Sequence, residues 1–220
     1  MKSILQYNKD WEEKKITTPI IILIGGYAGT GKSTLAQNII NQIPHLNSFP
    51  TGIIRATLRD YISQEDNPFL YSHTYDLHQI EGDVREHYLQ QCKPIVDAIN
   101  QAIDFAESEK QMILFDGNHI LPGQMNPTNK PNVIEIYLKV SNPNTHMKML
   151  SGPTHNRDIS AEQFQTARIL HDYIVQRAQE FKKPVFEYNS PRDEIFRIIE
   201  DKLTSMNLRG LRVLGFFFKT

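Results

Sequence analysis

Residues 20–40, IIILIGGYAGTGKSTLAQNII, constrain what this chain can fold into more than any other stretch. Five apolar residues, Ile20 to Ile24, four of them β-branched, follow Pro19. A run that is apolar at every position belongs in a strand buried on both faces of a parallel sheet. Gly26-Tyr27-Ala28-Gly29-Thr30-Gly31-Lys32-Ser33 then fits G-x-x-x-x-G-K-[ST] at every position. Beyond it Leu35, Ala36, Ile39, Ile40 and Ile43 recur at helical spacing, up to Pro44. Strand, glycine loop and helix stand in the order that a phosphate-binding loop requires.

The residue types follow from the chemistry of a phosphate. Glycines let the backbone curl until successive N–H groups point inward at phosphate oxygens. The helix N-terminus adds partial positive charge. Lys32 brings a mobile cation to the β- and γ-phosphates, and the Ser33 hydroxyl is a ligand for Mg²⁺. Gly26, Tyr27, Ala28, Gly29, Thr30, Gly31, Lys32, Ser33 and Thr34 are therefore the candidate nucleotide-binding residues.

The rest of the chain alternates strands with helices. After the first strand (19–24) and its helix (32–43) come a weak strand (46–50) and a helical TGIIRATLRDYI. A long helical region over 74–108 is expected to break near Pro94, and Gly82 lies inside it at a cost in propensity. Strands are expected at 111–117, 132–140 and 184–188, and helices at 161–183 and 191–203. That alternation predicts an α/β fold, a parallel sheet with helices on both faces, as one domain spanning 1–220. Function belongs at the carboxyl ends of its strands. The apolar LRVLGFFFK near the end adds a strand or packs on the body.

Four further segments hold candidates. MILFDG ends a buried run in Asp116, either a carboxylate for Mg²⁺ beside the loop or the start of an Asp-Gly turn. His119 follows it. TGIIRATLR places Arg55 and Arg59 on one helix face, to fork an anionic substrate or to form a solvated basic face. SGPTHNRDIS, with His155 and Arg157, reads as part of a lid over about 150–168 that excludes water from the phosphates. Arg168 and Asp172 form an i, i+4 pair, a surface salt bridge as readily as part of a site.

IGGYAGTGKSTLA, TGIIRATLR, FDGNHILPG and FQTARILHDYIVQRAQE followed by KPVFE resemble, in order, the 2-phosphoglycerate kinase family of P-loop kinases. The resemblance covers roughly residues 20–190. That family belongs with the adenylate-kinase-like and zeta-toxin-like kinases. It implies a three-layer αβα fold with a five-stranded parallel sheet and a helical lid. ATP and Mg²⁺ are the implied cosubstrates, and a small-molecule hydroxyl the acceptor. It implies catalytic roles for Lys32, Asp116, Arg157 and Arg168, acceptor binding by Arg55, Arg59 and His119, and metal binding by Ser33 and Asp116. One position departs: the family has Thr-Asp where this chain has Thr51-Gly52. Related kinases use an acid near there to orient the acceptor hydroxyl. Asp116, Asp60 and Asp76 are the candidates to compensate.

Three functions remain open on this basis: a kinase of 2-phosphoglycerate; a nucleoside, nucleotide-sugar or antibiotic kinase of the zeta-toxin kind; and an ATP-binding regulatory module without transfer. Tyr61, Phe69, Tyr71 and Tyr75 are candidate stacking aromatics for a base. A GTPase needs N-K-x-D, which NKPN at 129–132 lacks, since Asn132 has no carboxylate. A net charge of −1 argues against nucleic-acid or anionic-membrane partners. Cys92 is the single cysteine, which fits a reducing cytoplasm. The charged N-terminus lacks the apolar core of a signal peptide, and no apolar run is long enough for a membrane span.

Overall fold

The strand–loop–helix unit sits at the centre of the molecule. The protein is described by a computed structural model over residues 2–125, 130–152 and 158–215, with side chains to residue 206. In it β1 spans Ile21–Gly25 and α2 Lys32–Ile40, preceded by α1 (Lys2–Glu12). There follow β2 (Asn47–Pro50), α3 (Thr51–Leu58), 3₁₀ turns at Pro68–Tyr71 and Thr74–Gln79, α4 (Val84–Ser108) and β3 (Ile113–Gly117). The chain continues through β4 (Val133–Lys139), α5 (Pro143–Leu150), α6 (Ala161–Glu180), β5 (Val185–Glu187) and α7 (Arg192–Gly215).

All five strands are parallel, in the order β2-β3-β1-β4-β5. β1 is buried at every residue because helices cover both its faces. Ile21 and Leu23 pack with α4 and α6, while Ile20, Ile22 and Ile24 pack with α1, α2 and α7. Each such side chain contributes roughly 1.5–3 kcal/mol of burial. In register, Ile24 faces Asp116 and Gly25 faces Gly117, so the tip of β3 lies beside the loop that leaves β1.

The structure corrects two expectations. The 74–108 region does break, but at Gly82, whose φ of 124° no helix accepts, and α4 then runs unbroken through Pro94. Pro94 lacks the N–H that would bond the Gln90 carbonyl one turn earlier. Asn67 Nδ2 donates to that carbonyl instead, at 3.1 Å, so the helix carries no orphaned acceptor there. Residues 211–215 continue α7 rather than forming a strand. The charged N-terminus, for which the sequence reading gave no element, forms a helix: α1 buries Ile4 and Tyr7, one turn apart, against α7.

Candidate active site

The carboxyl ends of β1, β2 and β3 open into one cleft of about 640 Å³. The glycine loop forms its floor. The start of α3, the second 3₁₀ turn, the tip of β3 and the end of α5 form its walls. Among the candidates for the nucleotide, Tyr27, Ala28, Gly29, Gly31, Lys32, Ser33 and Thr34 line it. Gly26 and Thr30 support it from behind, Thr30 Oγ1 donating to the Tyr27 carbonyl at 2.8 Å.

The loop is tightly cross-bonded. Lys32 Nζ folds back to donate to the Tyr27 carbonyl at 2.6 Å. Burial pulls this ammonium down to about 8, with Asp116 pulling the other way. Ser33 Oγ donates to Asp116 Oδ2 at 3.1 Å, and Asp116 is itself buried. A hydroxyl and a carboxylate so close together form a hard-oxygen pair, the donor type that suits Mg²⁺ when phosphates complete its shell. Asp116 belongs to β3 rather than to a turn.

The opposite wall differs. Thr51 opens α3, and its Oγ1 lies 2.9 Å from His119 Nδ1. This approach depends on Gly117, where a Cβ would overlap the Thr51 side chain. His119 Nε2 is buried with no hydrogen-bond partner among the described residues. Burial, with Arg55 and Lys32 nearby, pulls the ring down to about 3, so it is neutral. Gly52 also lines the cleft, and no atom lies within 4 Å of where its Cβ would be.

The two arginines of α3 part company. Arg55 lines the cleft and donates from Nη1 to the Ser72 carbonyl at 2.7 Å. Arg59 lies outside the lining, donating to the Leu70 carbonyl at 2.8 Å with its guanidinium over Tyr71. Asp116 is the only carboxylate among the described lining residues. Asp60 is exposed, and Asp76 accepts from Gln163 at 2.7 Å. Arg168 is held by the Val140 carbonyl and Asp172, also outside the lining. His155 and Arg157 lie outside the described residues.

Of the four aromatics singled out for stacking, Tyr75 alone reaches the cleft wall, stacked on His73 at 5.2 Å. Tyr61 is exposed, Phe69 stacks on His87, and the Tyr71 hydroxyl caps the Arg59 and Ile62 carbonyls. In NKPN, Asn132 bonds Pro19 and Glu107 at the base of β4, far from any base-reading role. Sequence reasoning missed Thr51, Lys148 and Met149. The last two stand on α5, whose start is signalled by Asn142-Pro143, with the Asn142 side chain capping Thr145 N–H.

These features define the class: the chain has the α/β fold of the P-loop kinases. The shikimate kinase from Acinetobacter baumannii, solved in complex with shikimate, matches with a TM-score of 0.51 at 17% identity, covering 86% of this chain and 95% of that one. By sequence the chain is similar to 2-phosphoglycerate kinases. It is 28% identical over 208 residues to the one from Methanococcus maripaludis strain C5, covering 86% of this chain. It is 29% identical over 216 residues to that of Methanopyrus kandleri, covering 92% of this chain. The chain spans 66% of the length of each of these two relatives. No protein-family model matches the sequence. No described helix is long and apolar enough to cross a membrane.

Proposed function

We propose that this chain is a cytoplasmic ATP-dependent phosphotransferase that moves the γ-phosphate to the hydroxyl of a small anionic acceptor, 2-phosphoglycerate foremost. One observation carries the reading: a single cleft brings Lys32 and the Ser33–Asp116 pair opposite Arg55 and His119. The names of its relatives support the same acceptor. Lys32 exchanges the Tyr27 carbonyl for phosphate oxygens, and the loop's N–H groups hold the rest of the chain of phosphates. Ser33 and Asp116 would hold Mg²⁺, which would supply positive charge to offset that of the phosphates. Arg55 forks the acceptor's anion, and His119 Nε2 bonds an acceptor oxygen. Arg157, between α5 and α6, is the cation proposed to reach the transferring group; Arg168, on α6 and held by the Val140 carbonyl and Asp172, is assigned no contact with it. A loose transition state needs positioning and charge more than a base, which accords with a bare Gly52.

The test is incubation with Mg·ATP and a panel of 2- and 3-phosphoglycerate, nucleosides and nucleotide sugars, with products identified by mass spectrometry. A doubly phosphorylated glycerate is the expected product. Transfer to nucleosides alone moves the acceptor to the second reading, which the His73–Tyr75 stack at the cleft wall favours. Nucleotide binding with transfer to nothing leaves a regulatory module and defeats the proposal.

A further inference from the structure

Three elements meet on the outer side of the glycine loop: the end of β4, α5 and α6. His146 of α5 lies with Nε2 2.8 Å from the Ala28 carbonyl of the loop. Its Nδ1 lies 3.3 Å from Arg168 Nη1, which also donates to the Val140 carbonyl at 2.8 Å. Arg168 Nη2 donates to Asp172 at 2.8 Å. The Val140 N–H donates to His171 Nε2 at 3.0 Å, and His171 Nδ1 lies 2.7 Å from the same Asp172 oxygen. Both backbone groups of Val140 are thereby clamped by α6.

Chemistry fixes the protons. A guanidinium has only donors and a carbonyl only accepts. His146 therefore accepts from Arg168 on Nδ1 and donates from Nε2 to Ala28. By the same logic His171 accepts on Nε2 and donates from Nδ1 to Asp172. The two rings are fully buried or nearly so, and burial pulls His146 down to about 4, in keeping with a neutral ring.

A trans peptide holds its C=O and N–H on opposite sides, and no cis bond occurs among the described residues. With the Ala28 carbonyl drawn outward to His146, the Gly29 N–H turns the other way, to the cleft that Gly29 lines. The preceding peptide is set in the reverse sense, its Tyr27 carbonyl held inward by Lys32. Leu150, at the end of α5, backs the same turn: its N lies 3.1 Å from where a Gly29 Cβ would be.

We propose that His146 is a positioning residue of the nucleotide site. Its Nε2–H sets the Ala28–Gly29 peptide so that the Gly29 amide faces the nucleotide's phosphates, and Arg168 keeps His146 in the tautomer that does so. The inference rests on the nucleotide reading of the loop. It assigns to the end of β4, α5 and α6 a part in nucleotide affinity and none in acceptor affinity.

The experiment is calorimetric titration of Mg·ADP into the full chain and three variants, with acceptor KM measured alongside. His146→Leu fills the ring's volume without a donor and should raise the Kd about tenfold, the loss of one well-aligned hydrogen bond. His146→Gln returns an N–H near the Nε2 position and should stay within about threefold of the unaltered protein. Arg168→Met should fall between them. Acceptor KM should move in none. Equal weakening by Leu and Gln, or none by either, would overturn the role, and so would a parallel rise in acceptor KM. Should His146→Leu not fold, Arg168→Met against Arg168→Lys decides: Lys keeps a donor and should retain affinity, and equal losses defeat the proposal. If the unaltered protein binds no Mg·ADP, the nucleotide reading itself falls, and this inference with it.

Discussion

On the phosphate side of the cleft, Lys32, Thr30, Ser33 and the Ala28 carbonyl are all bonded within the protein. On the opposite wall, the one proposed for the acceptor, His119 Nε2 is buried without a partner among the described residues, and the space beside Gly52 is open. One wall is preorganised before any ligand arrives, which is how fixed dipoles stabilise developing charge without reorganising at the moment of reaction. The other leaves a bond unmade, at about 1–3 kcal/mol for a buried polar atom, which a fitting acceptor returns. A buried orphan also discriminates, because a molecule lacking the matching oxygen leaves the deficit in place.

The sharpest way to break this contrast is at the loop. Lys32→Ala should lower kcat by at least about 10²-fold while the melting temperature holds within a few degrees, since the ammonium is buried at a cost. A collapsed melting temperature would make Lys32 structural and erase the distinction between the walls. On the other side, His119→Gln should raise acceptor KM by roughly tenfold with ATP KM unmoved. Matching rises in both would put His119 in the loop's network. Gly52→Asp, placed in open space, should fold with unchanged stability. A gain in kcat would show the acceptor wall still accepts the missing acid.

Acidification tests both walls together. His119 and His146 are held neutral, with values of about 3 and about 4 against an ordinary 6.5. Below pH 6.5 the unfolded chain takes up protons that the folded chain refuses. Stability is therefore complete above about pH 6.5 and is lost as pH falls toward 4, by about 1 kcal/mol per pH unit or more. Urea titrations at pH 7, 5.5 and 4.5 measure it. A flat profile would mean the rings are solvated. The smallest expected effect lies at the contact between Asn67 and α4: Asn67→Ala should cost about 1 kcal/mol in urea unfolding by baring the Gln90 carbonyl. No change would mean that water replaces the amide.

What was legible in the sequence was local. The loop is eight adjacent residues, and Asp116 ends a run of apolar ones, so both could be placed by spacing alone. The five strands follow from the same kind of signal. The rest depended on distant partners. Pro94 was expected to break a helix because its relief comes from Asn67, outside that helix. Arg55 and Arg59 look equivalent on one helical face, yet only the carbonyls of the 70–72 turn decide which one reaches the cleft. His146 gave no signal, since the loop carbonyl it holds lies 118 residues earlier.

The proline in α4 has a further consequence. An interior carbonyl of an ordinary helix already accepts from the N–H one turn on, and an outside donor has to share it. Pro94 leaves one such group permanently vacant, and the segment around Asn67 hooks onto it. That attachment therefore weakens no rung of the helix.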